Sequence, residues 1–340
     1  MTQTKRLDTS RRNFVIGSAT AVSTFFIGRS RALAEEAATT LQFATVAPAG
    51  TPWSVHVDRL RNRVKEQTGG RYKVKVYLGG ALGDEQTTAS RCRKGGIAGW
   101  AGTTGALAGI IPELAALELP YLFPDLATAD KIIDQHVRTD IEAMLERAGF
   151  KLLFFSENGH RSIGTNFGFV KKPADLKGKK IRVQPGDLGN WMLASMGASP
   201  QGIPVTEVMP ALQTGLVDGF DNTPLFTFAA SWYQSITHFT LTEHSYQPGL
   251  AVMSMEVWKT LPADVQALLV GDIQAESEFG RKGVRKLAPD LIANFGAAGI
   301  AVAELTAEER AAFKKASQST HKKFTDTFGS TFYKAITKHL

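Results

Sequence analysis

Arg182 stands inside the run Lys179-Lys180-Ile181-Arg182-Val183-Gln184. Read as a strand, period-two alternation puts Ile181 and Val183 on one face and Arg182 on the other. A guanidinium inside a domain is costly unless an anion meets it. The chemistry that suits it is capture of a carboxylate, which a planar guanidinium holds by two parallel, charge-assisted hydrogen bonds. A salt bridge between elements is the competing use, and the place of Arg182 between Ile181 and Val183 favours the ligand.

Other reactive residues do not gather into catalytic patterns. The seven histidines are scattered, with no H-E-x-x-H and no pair at metal-ligand spacing; His238 and His244 are six apart on an expected strand. No G-x-S-x-G elbow, G-x-G-x-x-G or phosphate loop occurs, and Gly178-Lys179 lacks the upstream glycine of the last. Cys92 is the single cysteine, which excludes an internal disulfide and a thiolate metal cluster. No metal or cofactor is expected. Gly102-Thr103-Thr104-Gly105 could turn backbone amides toward an anion, although such turns are usually only turns. The adjacent pair Asp84-Glu85 reads as solvated rather than catalytic.

The elements that must position Arg182 begin after a leader. Lys5, Arg6, Arg11 and Arg12 precede a mildly apolar run from Phe14 to Gly28, and Ala32-Leu33-Ala34 offers small residues at signal-peptidase spacing. The run is too short to span a membrane. Ser10-Arg11-Arg12-Asn13-Phe14 resembles the twin-arginine export motif, an ordinary export leader being the alternative. Residues 1–34 are therefore expected to be removed, leaving a periplasmic protein. They carry six Lys/Arg and one Asp, or +5 of the formal +7, so the pI near 9.4 is mostly the leader's. The remaining 33 basic and 31 acidic side chains leave no polybasic block that would indicate nucleic acid. The 306 residues that follow are more than one core usually holds, which favours two lobes.

Short apolar runs alternate with helical patterns. Leu41–Val46, Tyr72–Tyr77, Lys151–Phe155 and Lys180–Val183 read as strands. Trp53–Thr68 reads as a helix stopped by Gly69-Gly70, and Asp130–Arg147 as another. Pro262–Asn294 reads as nearly unbroken helix, roughly 45–50 Å long and so laid across both lobes. Thr306-x-x-Glu309 is a capping box that opens the penultimate helix. The alternation argues for α/β lobes with largely parallel sheets, joined by crossing strands because no linker is visible.

Six stretches combine into a recognisable order: YLGGALGDEQ (77–86), LELPYLFPD (117–125), ENGHRSIGTN (157–166), DLKGKKIRVQPGD (175–187), MGASPQGIPVTEVMPALQTGLVDGFDN (196–222) and the helix after Leu261-Pro262. Together they resemble the DctP-type substrate-binding proteins of tripartite ATP-independent periplasmic (TRAP) transporters. The resemblance covers the whole chain beyond the leader and is most specific from Lys179 to Asn222.

The resemblance implies a two-lobed periplasmic-binding-protein-like α/β fold with a ligand cleft and a long helix spanning both lobes. Lobe I would take 35–157 and 246–286, and lobe II 158–245 and 287–340. It also implies roles. L-K-G-K-K-I-R-V places Arg182 on the ligand carboxylate, and Asn-Gly-x-Arg places Arg161 as a second, more variable arginine. V-D-G-x-x-N places Asn222 where an amide reads the ligand; Glu85 falls at the pocket edge and Thr103 where some relatives carry a ligand-contacting acid. Each has a plainer use. Arg161 could orient Arg182 or pair with Glu157, Asn222 could be a turn residue before Pro224, and Glu85 a helix N-terminal acid. Trp53, Trp100, Trp232 and Tyr233 read mainly as core or hinge packing.

Two departures stand out. Phe220-Asp221-Asn222 replaces the Glu-Trp of relatives that bind keto acids through a metal, which argues against a bound cation. Thr103 in place of an acid implies a ligand without a positive or strongly donating group there. The expectation is thus an extracytoplasmic receptor that delivers a small organic carboxylate to the small and large integral membrane subunits of a TRAP transporter. A secreted enzyme on the same scaffold is the alternative from another class. A receptor feeding a two-component sensor is the third reading.

Overall fold

The computed structural model describes residues 38–340, and the expected leader lies outside them. The strands are Thr39–Ala44 (β1), Tyr72–Tyr77 (β2), Gly99–Thr103 (β3), Phe150–Thr165 (β4), Lys180–Val183 (β5), Ser199–Gly202 (β6), Gly219–Asn222 (β7), His238–Ser254 (β8) and Ala301–Glu304 (β9). Among the described residues they form one sheet in the order β2-β1-β3-β8-β4-β7-β5-β6, with β9 beside β8. The sheet is mixed rather than largely parallel: β3 and β4 both run antiparallel to β8, and β7 antiparallel to β4.

The antiparallel pair β4 and β8 is what divides the sheet. The first half of β4 lies against the second half of β8, which carries β3 and through it β1 and β2. The second half of β4 carries β7, β5 and β6, and the first half of β8 carries β9. Two half-sheets thus share two crossing strands, as the absence of a linker had suggested. The ladder slips between Glu157 and Gly159, where Pro248 lies opposite Glu157. Proline has no N–H to give the ladder, and Gly159 at φ +93° supplies a backbone that other residues rarely adopt.

Apolar faces bury each half. Trp53, Leu60, Phe154 and Val265 pack on one side of the first. In the second, Phe220, Trp232, Phe239 and Phe295 form one cluster, and Ile181, Val183, Met196 and Phe313 another.

The expected helix from Pro262 to Asn294 is two helices, Ala263–Val270 and Ile273–Ala297. Gly271 at φ +59° breaks it, and Asp272 restarts it by accepting from the amides of Gln274 and Ala275. The second helix, about 37 Å long at 1.5 Å per residue, still reaches both half-sheets. Glu276 near its start meets His56, Arg59 and Arg63, and Phe295 near its end packs on Phe228 and Phe239. The expected Asp130–Arg147 helix is likewise divided. Leu126–Lys131 runs into one wide turn at Ile132–His136, and Arg138–Arg147 starts afresh. The capping box at Thr306 and Glu309 forms with both hydrogen bonds, at 3.2 and 2.8 Å.

Candidate functional site

Thr103 is the last residue of β3, Asn222 the last of β7, and Arg182 the penultimate residue of β5. These are C-terminal strand ends, the edge at which open α/β sheets bind ligands. Arg161 joins them from the second half of β4.

Arg182 is 1% exposed. Its Nε donates to the carbonyl of Ile203 at 2.8 Å, and its guanidinium carbon lies 5.0 Å from the centre of the Trp232 ring. Its buried Nη2 meets no protein acceptor, and among the described residues no carboxylate lies within salt-bridge distance of it. Burial, reinforced by the like charge of Arg161 and only partly offset by Asp221, lowers its pKa to about 9. A buried cation with an unanswered N–H is costly by itself and suited to an anion that arrives from outside.

Arg161 is already engaged. Its Nε donates to Asp221 Oδ2 at 2.7 Å and its Nη2 to the Asp221 carbonyl at 2.8 Å. It does not pair with Glu157, which binds Arg285 and the Tyr246 hydroxyl instead. Burial opposes charge on both partners, yet Asp221 raises Arg161 above its ordinary range, and Arg161 with His244 holds Asp221 well below the usual carboxylate range. Asn222 Oδ1 accepts from the amide of Thr223, which in turn caps the helix that begins at Pro224.

The other half-sheet supplies acids. Glu85 opens the Glu85–Arg93 helix and is 8% exposed, and half-buried Asp84 caps that helix by accepting from the Thr87 amide, so the reading of Asp84-Glu85 as a solvated pair does not hold. Glu85 Oε1 accepts from the amide of Thr103 at 3.1 Å, and Oε2 from Gln184 Nε2 at 3.2 Å. Burial, with the nearby Glu118 charge, raises its pKa to about 7. Glu118 accepts from the amide of Gly105, the Thr104 hydroxyl and Gln247 Nε2, and burial raises its pKa too. The end of β3 and the short helix after it therefore do turn backbone amides toward carboxyl groups, and those groups are the protein's own. Thr103 is not itself acidic, but Glu85 and Glu118 bring carboxyls to its side.

Gln184 ties the two halves together. It donates to Glu85 and to Thr103 Oγ1, and accepts from Gln247 at 3.0 Å. Arg161, Glu118, Gln184 and Asp221 are among the residues lining a half-open cavity of about 120 Å³. Among the five residues selected from sequence, only Arg161 lines that cavity; Glu85 and Thr103 stand behind Gln184, and Arg182 and Asn222 sit at the adjoining strand ends. Sequence reasoning missed Glu118, Gln184, Asp221 and Gln247. Gln184 was legible, being two residues beyond Arg182 and so on the same strand face. Glu118, inside the apolar stretch Leu114–Leu122, offered only its unusual charge as a signal.

The model of the family DctP, bacterial extracellular solute-binding protein family 7, matches residues 43–327. The 2,3-diketo-L-gulonate-binding periplasmic protein YiaO of Escherichia coli is 30% identical over 280 residues, 82% of this chain and 85% of its own. A TRAP periplasmic solute-binding protein from Bradyrhizobium, solved with galacturonate, superposes with a TM-score of 0.82 at 31% identity, covering 88% of this chain and 99% of its own. One from Sulfurospirillum deleyianum, solved with succinate, gives 0.83 at 25% identity over 88% and 98%.

Proposed function

We propose, from the premise that the chain belongs to the DctP family of bacterial extracellular solute-binding proteins, that Arg182 and Arg161 together hold the carboxylate of its solute. As a member of that family it is the solute receptor of a TRAP transporter, with a small organic acid as cargo. The single observation that carries the site assignment is Arg182: fully buried and, among the described residues, unpaired with any carboxylate and with Nη2 lacking an acceptor. Asn222 adds an amide at the neighbouring strand end, while Glu85 and Thr103, through Gln184, form the opposite wall.

In this reading lobe I is 35–157 with 246–286 and lobe II is 158–245 with 287–340. The ladder slip at Glu157/Gly159, one of three along this strand pair, falls at the boundary and supports it. Closure brings Gln184 of lobe II onto Glu85, Thr103 and Gln247 of lobe I. The closed receptor delivers the acid to the small and large membrane subunits. The chain is exported through its twin-arginine leader, and N-terminal sequencing of the periplasmic protein should begin at Glu35.

The relatives solved or named with galacturonate, succinate and diketogulonate support a small organic acid as cargo. Titration calorimetry of the purified protein against organic acids, with NMR of each acid before and after, tests the function. A saturable heat with the acid recovered unchanged is expected, and ligand at a hundredfold above Kd should add about 2.7 kcal/mol of stability. Conversion of an acid to a product would instead identify an enzyme.

A further inference from the structure

Two contacts hold the Arg182 guanidinium. Its Nε donates to the Ile203 carbonyl at 2.8 Å, and the Ile203 amide donates back to the Val183 carbonyl at 3.2 Å, so that anchor is tied to β5 itself. Its carbon lies 5.0 Å from the centre of the Trp232 ring. Trp232 is 1% exposed and is set by packing of its own. The Pro224–Ala229 helix ends at Ala230, and Ser231 at φ +60°, a backbone that serine seldom adopts, turns the chain so that Trp232 enters the core. There Phe220 of β7 and Phe226 of that helix meet the indole at steep angles, 5.2 and 5.4 Å between ring centres. Phe220 is also the β7 partner of Arg182 across the sheet. Two aromatic neighbours thus fix the ring that Arg182 meets.

We infer that Trp232 is a positioning residue for solute binding: its ring stabilises the Arg182 cation and fixes the guanidinium plane without occupying the N–H groups that a carboxylate needs. This rests on the receptor reading above and goes beyond it by giving a part in binding to an indole that sequence reading assigned mainly to packing. The contrast with Arg161 supports it. Asp221 answers Arg161, and the protein thereby occupies the Nε and Nη2 donors of that arginine. A carboxylate in the place of Trp232 would engage Arg182 in the same way and compete with the solute. An aromatic face attracts a desolvated cation through its quadrupole instead. Arg182 keeps a buried Nη2 without an acceptor among the described residues. With Nε anchored and one face covered, the guanidinium has little freedom left to lose when an anion arrives, which favours affinity.

The test compares Trp232→Phe with Trp232→Leu, both of which shorten a core side chain and should lower the unfolding temperature. Affinity is measured by titration calorimetry with whichever of succinate, galacturonate and 2,3-diketo-L-gulonate binds the unaltered protein most tightly. Trp232→Phe keeps an aromatic face and should bind within about threefold of the parent, whereas Trp232→Leu should bind about tenfold weaker or worse. The Arg182 Nε–H proton resonance, assigned by its loss in Arg182→Lys, should stay sharp in Trp232→Phe and broaden in Trp232→Leu. If Trp232→Leu does not fold, 5-fluorotryptophan in place of every tryptophan keeps the ring shape and weakens its face. It should then lower affinity about twofold in the parent and leave Trp232→Phe unaffected. Parent-like affinity in Trp232→Leu, equal losses in both variants with the Arg182 resonance unchanged, or no effect of fluorination would overturn the inference and leave the carboxylate receptor intact. Failure of all three acids to bind would overturn both.

Discussion

Arg161 Nε and Asp221 Oδ2 are 2.7 Å apart, and both side chains are almost wholly withdrawn from solvent. The pair joins β4 to β7 beside the proposed carboxylate site, and His244 approaches the same Asp221 oxygen at 3.6 Å. Burial lowers the His244 pKa despite Asp221, so the imidazole is neutral and Arg161 is the cation that balances Asp221.

Removing one member of such a pair leaves a bare charge in the interior, at a cost of about 3–5 kcal/mol. Arg161→Ala is therefore expected to destabilise the ligand-free fold by that order in urea unfolding, besides weakening binding. Asp221→Asn on the same background should recover much of the loss. If Arg161→Ala alone left the unfolding midpoint unmoved, the pair with Asp221 would contribute nothing to the ligand-free fold.

Glu85 predicts a pH dependence. Its folded pKa near 7 lies above the ordinary carboxylate value of 4.5, so the folded state holds the proton more tightly than the unfolded chain. That contribution is complete below about pH 4.5 and is lost as pH rises through about 7, with a full size of order 3 kcal/mol. Glu85→Gln keeps an acceptor facing the Thr103 amide and cannot ionise. Its stability relative to the parent should rise between pH 5 and 8. A constant difference across that range would show that Glu85 does not titrate there.

Gln184 connects both halves without charge. Net hydrogen-bond contributions of about 0.5–1.5 kcal/mol imply that Gln184→Ala weakens binding by about two- to tenfold, chiefly through faster dissociation. Stopped-flow release of the bound acid measures this directly. Unaltered release would mean that these contacts do not hold the closed form.

The fold was legible where residue pattern alone decides it. Tyr72–Tyr77 and Lys180–Val183 lie where alternation put them, and Thr306 with Glu309 caps as its spacing required. Boundaries failed where tertiary geometry overrides propensity. Gly271 turns the chain beside the Arg63 guanidinium, which helical periodicity cannot register. β4 and β8, at 16 and 17 residues, exceed any apolar run because both pass through the site carrying polar residues such as Arg161, His244 and Gln247. Of the candidate site, the burial of the cations was legible and that of the acids was not. Arg182 between Ile181 and Val183 announces a buried charge, whereas Glu118 and Gln247 meet only after the chain has folded, 129 residues apart.

Arg182 carries the central claim, and titration calorimetry of Arg182→Ala with the acid that binds the parent protein tests it most directly. Truncating one partner of a desolvated charge pair costs roughly 2–5 kcal/mol, so affinity should fall at least thirtyfold. Arg182→Lys keeps the charge without the two-toothed geometry and should fall between the two. The ligand-free fold should tolerate the change, since among the described residues Arg182 pairs with no carboxylate and gives up the Ile203 carbonyl and the Trp232 face. A folded Arg182→Ala protein that binds the acid as the parent does, or one that cannot fold without Arg182, would contradict the assignment.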